Sequence, residues 1–242
     1  MAQNIYDQAD FYEGYGQLPR SLYGLDGAAE WPAITALLPE LKGKRVVDLG
    51  CGFGWFCRWA AGQGAHSVVG LDLSENMLAR ARRDTDNPAV TYAIADLDML
   101  VLPAGAFDFA YSSLTFHYVA DFARLMRVVH ETLVPGSRFV FTVEHPIYMA
   151  PTNPGWALDE TGRQTWPIDS YSVEGERRTD WLAKGVIKHH RTIGTTLNTL
   201  IDTGFRIDQV VEWRPTEEQI RKQPELDVEK ERPMILIVSV ER

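Results

Sequence analysis

Cysteine is scarce in this chain: Cys51 and Cys57 are the two in 242 residues. That rules out a disulfide-stapled scaffold and points to a reducing compartment. Their spacing fits neither a zinc cluster nor a thioredoxin-type pair. Long apolar runs are also missing, and nothing approaches the ~20 residues that a bilayer span needs. The first sixteen residues, MAQNIYDQADFYEGYG, hold neither a basic region nor an apolar stretch, so no secretory signal is expected and the expected location is cytoplasmic. Positive charge is in deficit, with 24 Lys and Arg against 33 Asp and Glu for a formal net charge of −9. A surface built to track phosphates is therefore not expected, nor is a nucleic-acid partner. Repeats and low-complexity tracts are absent. The length suits one large α/β domain.

What the chain does have is concentrated at Arg45–Gly54. The run Arg45–Leu49 is apolar and β-branched, as in a strand buried within a parallel sheet. Glycines follow at alternate positions, Gly50, Gly52 and Gly54, and then a helix is predicted from Trp55 to Gly62 or Gly64. Strand, glycine turn and helix bring bare backbone and a helix N-terminus against a nucleotide-like ligand. The spacing Gly-x-Gly-x-Gly is one residue shorter than the dinucleotide fingerprint. Asp48, two residues before the first glycine, would repel a pyrophosphate and attract an ammonium group. A second strand, Val68–Asp72, ends in an acid at the distance where a carboxylate reaches a ribose diol.

The pattern V-D-L-G-C-G-x-G followed by G-x-D-x-S closely resembles motifs I and II of the class I S-adenosylmethionine-dependent methyltransferases, over roughly residues 40–145. The resemblance implies a Rossmann-like three-layer α/β sandwich with a seven-stranded, mostly parallel sheet and an antiparallel C-terminal strand. It implies S-adenosylmethionine as cofactor and S-adenosylhomocysteine as product. Asp48 would hold the methionine amine, with Gly50, Cys51, Gly52 and Gly54 forming the close-approach loop and Cys51 packed beneath it. Asp72 would hold the ribose, with Leu73 and Met77 beside ribose and adenine. After the third strand, Val90–Ala95, Asp96 would take the adenine amino group and the Leu97 N–H a ring nitrogen. Ser112, Arg20 and Tyr15 complete the expected cofactor set. Leu and Met at such spacing commonly just pack, and Asp96 could also serve as a local cap, although its place at the end of the third strand favours the ligand.

Phe107–Ser113 reads as a buried fourth strand. The residues after it, Leu114–Tyr118, lack the Asn/Asp-Pro-Pro-aromatic motif of enzymes that methylate exocyclic amines of nucleic acids, so a small-molecule acceptor is expected. His117 falls near where the methyl should emerge, and His145, Glu144 and Tyr148 leave the fifth strand (Ser137–Val143) at the same sheet edge. These four are the candidate acid/base or orienting groups. Further helices are expected over Gly27–Glu40, Glu75–Arg83 with Ser74 as N-cap, Asp121–Leu133 and Thr192–Thr203. Closing strands are expected at Phe205–Trp213 and Pro233–Val240, with a capping box at Thr216–Gln219 between them.

The chain is expected to be one domain over 1–242, monomeric or homodimeric. Residues 1–26, rich in Tyr and Gly, would form a lid, and 146–191, where prolines and tryptophans break every regular pattern, an insertion capping the substrate pocket. No metal is expected: His189 and His190 are adjacent on a strand, point to opposite faces and have no carboxylate or cysteine at ligand spacing. Two alternatives stand beside methyl transfer. An NAD(P)-dependent oxidoreductase would need glycine at Trp55 and leaves Asp48 unexplained. A non-catalytic S-adenosylmethionine-binding protein would show its acceptor space filled by side chains.

Overall fold

The computed structural model describes residues 3–242; the first two residues of the expected 1–26 arm lie outside them. Short apolar runs separated by amphipathic stretches fold into a seven-stranded sheet with helices on both faces. Its strands are β1 (Arg45–Leu49), β2 (Ser67–Asp72), β3 (Val90–Ile94), β4 (Phe107–Ser113), β5 (Leu133–Glu144), β10 (Arg206–Trp213) and β11 (Ile235–Glu241), in the order β10-β11-β5-β4-β1-β2-β3. β11 pairs antiparallel with both β5 and β10, and the other six strands run parallel. Two hairpins, β6 (Ala157–Leu158) with β7 (Gln164–Thr165) and β8 (Gly175–Trp181) with β9 (Ala183–His190), stand outside this sheet.

The sheet is buried on both faces because its side chains alternate. Val46 and Val68 join α3 (Trp31–Thr35), α4 (Trp55–Gly62) and α5 (Glu75–Arg83) in one core. Val47, Leu49 and Phe139 join α6 (Phe122–Thr132) and α8 (Ile193–Thr203) in the other. A satellite cluster packs Ile5 and Phe11 of the N-terminal arm, which carries α1 (Ala9–Gly16) and α2 (Pro19–Leu22), against Val186 of β9. Strand order reverses between β1 and β4, the switch point beyond whose carboxyl ends ligands bind in open α/β sheets.

Several boundaries differ from expectation. The helix expected over 27–40 shrinks to α3, started by Pro32 and stopped well before Pro39, although Ile34, Leu37 and Leu41 are still buried. β5 begins at Leu133, directly where α6 ends, and a register irregularity opposite Phe107–Phe109 takes up Pro135–Gly136. Residues 146–191 are more regular than the prolines suggest: α7 (Pro146–Met149) is followed by the two hairpins. Ser74, Asp121 and Thr192 cap α5, α6 and α8, and the Thr216–Gln219 capping box starts α9 (Glu217–Lys222). No helix among the described residues is long and apolar enough to cross a membrane.

Candidate functional site

Three cavities open at the carboxyl edge of β1, β2 and β4. A nucleoside-sized crevice of about 720 Å³, its mouth included, is lined by Gly50, Gly52, Asp72, Leu73, Met77 and Leu97 among others. A second, of about 680 Å³, lies behind the glycine loop against Asp48, Cys51 and Phe53. The third and largest, about 1260 Å³, lies outward, between the N-terminal arm, the end of β5 and the 223–226 segment. Tyr15 and Leu114 line all three, so the cavities converge on that pair.

The glycine loop is built as the spacing requires. Gly50 has φ +80°, and a Cβ there would stand 2.2 Å from Thr115 Oγ1; Gly52 has φ +52°, and its Cβ would project into open space where a ligand would sit. Asp72 ties this loop to the next. Its Oδ2 accepts the Gly52 N–H (2.8 Å) and its Oδ1 the Ser74 N–H (2.9 Å). A carboxylate has about four lone-pair sites, so with the Leu73 N–H also directed at it Asp72 keeps capacity for a ligand hydroxyl. Burial pushes its pKa up despite those backbone donors. Leu73, Met77 and Leu97 give the same crevice apolar walls suited to a flat base.

Asp48 is 2% exposed, and burial pushes its carboxyl up to about 7 even though the Cys57 thiol donates to Oδ2 at 3.3 Å. A cationic group entering the second cavity would restore its charge. Cys51 lines that cavity, but burial pushes its thiol up to about 11, which removes it as a nucleophile. Gly54 caps α4 and lies against Tyr92, outside all three cavities.

Besides Gly54, three expected residues are placed elsewhere. Ser112 is fully buried and donates its hydroxyl to the Leu49 carbonyl (2.6 Å), stitching β4 to β1; the neighbouring Ser113 lines the crevice, because successive side chains on a strand face opposite ways. His145 caps α7 through Nδ1, which accepts the Ile147 N–H, while Nε2 donates to Glu212 (2.9 Å); it lies outside the cavities. Asp96 Oδ1 accepts the Asp98 N–H (3.0 Å), and Ala95, Leu97 and Asp98, not Asp96, line the crevice.

His117, Glu144 and Tyr148 do meet, in the outer cavity. His117 is 3% exposed, and burial lowers its pKa to about 4, so the ring is neutral near pH 7. The Glu144 N–H points at its Nδ1 (3.5 Å), which assigns the ring proton to Nε2 and makes that atom a donor. Glu144 Oε1 accepts from Lys188 Nζ at 2.5 Å. Burial pushes the Tyr148 phenol up to about 12, so it stays un-ionised. Arg20 lines the second and outer cavities with its guanidinium held by the buried Glu30 (3.0 Å).

Sequence reasoning missed four participants. Leu114 sits in the left-handed region at φ +50°, held there as its N–H donates to the Thr142 carbonyl (2.9 Å) and hydroxyl (3.0 Å). Asp7 caps α5 from the N-terminal arm, taking the Ser74 hydroxyl (2.5 Å) and the Asn76 N–H (3.1 Å) on Oδ1. Gln3 ties the arm to β9 through the Ile187 N–H (2.9 Å). Lys188 alone left a signal, alternating in phase with the buried Val186 and His190. His190 Nε2 donates to the Tyr171 carbonyl (2.8 Å), whereas His189 faces another small cavity. Among the described residues no cluster of ligands could hold a metal ion.

A family profile described as "Methyltransferase domain" matches residues 47–141. A crystal structure of an S-adenosylmethionine dependent methyltransferase from Mesorhizobium loti is 65% identical, with a TM-score of 0.88 over 90% of this chain and 100% of that one. A proposed S-adenosylmethionine dependent methyltransferase from Listeria monocytogenes is 39% identical, with a TM-score of 0.81 over 89% and 98%. The malonyl-[acyl-carrier protein] O-methyltransferase of Erwinia pyrifoliae is 36% identical over 99 residues, 40% of this chain and 36% of that enzyme.

Proposed function

The chain belongs to the class I S-adenosylmethionine-dependent methyltransferases, and from that premise we propose that it methylates a small molecule held in the outer cavity. The observation that carries this reading is the convergence of three cavities on Tyr15 and Leu114. Bound S-adenosylmethionine supplies an electrophilic methyl on a sulfonium that departs as a neutral thioether. The work left to the protein is alignment and exclusion of water.

In this reading Asp72 holds the ribose diol, Leu73, Met77 and Leu97 enclose the base, and Asp48 meets the amino-acid ammonium behind the glycine loop. Tyr6 and Tyr15 of the 1–26 arm close over the crevice as a lid, latched by Asp7 to α5 and by Gln3 to β9. Tyr148 and Trp181 are the contribution of the 146–191 cap to the acceptor space. His117, neutral and donating through Nε2, orients an acceptor oxygen or nitrogen; Glu144 is the group positioned to take its proton.

An outer cavity with about 380 Å³ of open space argues against a non-catalytic cofactor-binding protein, whose acceptor space would be filled. The two free, buried cysteines support action in a reducing cytoplasm, and the net charge of −9 supports a partner other than nucleic acid. The malonyl enzyme of Erwinia acts on a carrier-linked acid, but its match covers 40% of this chain and 36% of that enzyme, too little to carry its acceptor over. Melting the protein with S-adenosylhomocysteine and with NADH tests the cofactor, and a screen of acceptors with methyl-labelled S-adenosylmethionine tests the transfer. A melting shift with the nucleoside alone and label in an added small molecule is expected. A shift with NADH alone would overturn the proposal.

A further inference from the structure

The charges facing the outer cavity restrict what can enter it. The carboxylates of Glu30, Glu144 and Glu225 line it, and against them stands one cation among the described residues, Arg20. Arg20 is already ion-paired to Glu30 at 3.0 Å, and Lys188, just behind the wall, is ion-paired to Glu144 at 2.5 Å. Lys188 is 3% exposed and Glu30 2%, so neither pair can be opened toward an incoming anion without stranding a buried charge. His117, held neutral by burial, offers an N–H donor but no positive charge. Six aromatic side chains line it as well, Tyr6, Tyr15, Tyr118, Tyr148, Trp181 and Trp213, with aliphatic groups such as Leu226 and Met234 between them. Burial keeps the Tyr6, Tyr15 and Tyr118 phenols un-ionised, so they add no negative charge to the wall, and aromatic rings favour flat rings and cations as neighbours.

We propose that the acceptor is a flat aromatic molecule, uncharged or cationic, presenting a hydroxyl or amino group to Glu144 and His117, and that acceptors carrying a free carboxylate are excluded. This rests on the methyltransferase reading of the same site. In the transfer, the acceptor oxygen or nitrogen forms a bond to the sulfonium methyl as the carbon–sulfur bond breaks. The electron pair of that bond remains on sulfur, and the acceptor's proton passes to the Glu144 carboxylate and on to solvent through the open cavity, so that Lys188 loses its ion-pair partner only transiently.

The test uses three para-substituted phenols of similar size whose second substituent is cationic, neutral or anionic: 4-hydroxybenzylamine, 4-hydroxybenzamide and 4-hydroxybenzoate. Each is titrated by calorimetry into the full chain saturated with S-adenosylhomocysteine. The amine and the amide are expected to bind at least tenfold more tightly than the carboxylate. A carboxylate that binds as well as either, or a protein that binds the nucleoside but none of the three, overturns the proposal. A protein that does not bind the nucleoside overturns the methyltransferase reading instead. A malonyl thioester supplied with labelled S-adenosylmethionine is expected to gain no label above background; label transfer to it would refute the exclusion of acids.

Discussion

Replacing Asp48 by Asn should make the ligand-free protein more stable and the cofactor complex weaker, with both effects set by pH. The Asp48 carboxyl moves from its ordinary value near 3.8 to about 7 on folding, chiefly by burial. Between those pH values the unfolded chain has lost the proton while the folded one keeps it, so this group's contribution to stability falls as pH rises through that window and is constant above it. At about 1.4 kcal/mol per pH unit the ceiling of the penalty is roughly 4 kcal/mol. Asn keeps the shape and can still accept from the Cys57 thiol, but its buried amide recovers part of the cost. A net gain of about 1–2 kcal/mol at pH 8 is therefore expected, roughly 2–8 °C in Tm for a chain of this size, shrinking toward zero at pH 4. Calorimetric melts of both proteins at pH 4 and pH 8 measure it. Titration with S-adenosylhomocysteine at pH 8 should show a loss of roughly ten- to a hundredfold in affinity, as expected for a hydrogen bond to a charged group. The wild-type affinity should weaken below pH 7 while that of the variant stays flat. An Asp48→Asn protein no more stable at pH 8 than at pH 4, relative to wild type, would refute the reasoning.

Three further substitutions separate binding from support. Asp72→Ala should weaken S-adenosylhomocysteine by about 1–3 kcal/mol, read by calorimetric titration; an unchanged Kd removes the residue from the site. Asp7→Ala should remove about 1–2 kcal/mol of helix capping and so speed nucleoside release roughly five- to thirtyfold in stopped-flow; an unchanged off-rate means that the arm does not gate the crevice. Ser112→Ala should cost about 1 kcal/mol of stability by denaturant titration and leave the nucleoside Kd unaltered, since its hydroxyl serves Leu49.

The β1 glycine loop, the α5 cap and the β4 run were legible because each is dictated by residues adjacent in sequence: positive-φ glycines, a serine before a helix, an apolar stretch. The reversed final strand came from the family resemblance, not from its own residues, and it lies between β5 and β10. Legibility failed wherever the deciding partner is distant. Ser112 and Ser113 are equivalent on paper, and the pairing of β4 with β1 decides which one faces the crevice. Asp7 reads as one more surface acid until the fold brings Ser74 to it across 67 positions. His145 looked chemical because of where the strand ends; its two nitrogens are committed to Ile147 and Glu212. The helix expected over 27–40 keeps the helical spacing of its buried residues without the helix: Ile34, Leu37 and Leu41 reach the core, but the backbone is irregular after Thr35, ahead of Pro39.

The layer of phenol rings at Tyr6, Tyr15 and Tyr118 is a party wall, lining the nucleoside crevice on one side and the outer cavity on the other. Trimming it to admit a bulkier acceptor would unroof the nucleoside as well, so gains in scope would arrive with losses in saturation. Redesign belongs on the far side, at Trp213, Leu226 and Met234, which border the outer chamber and neither of the inner two.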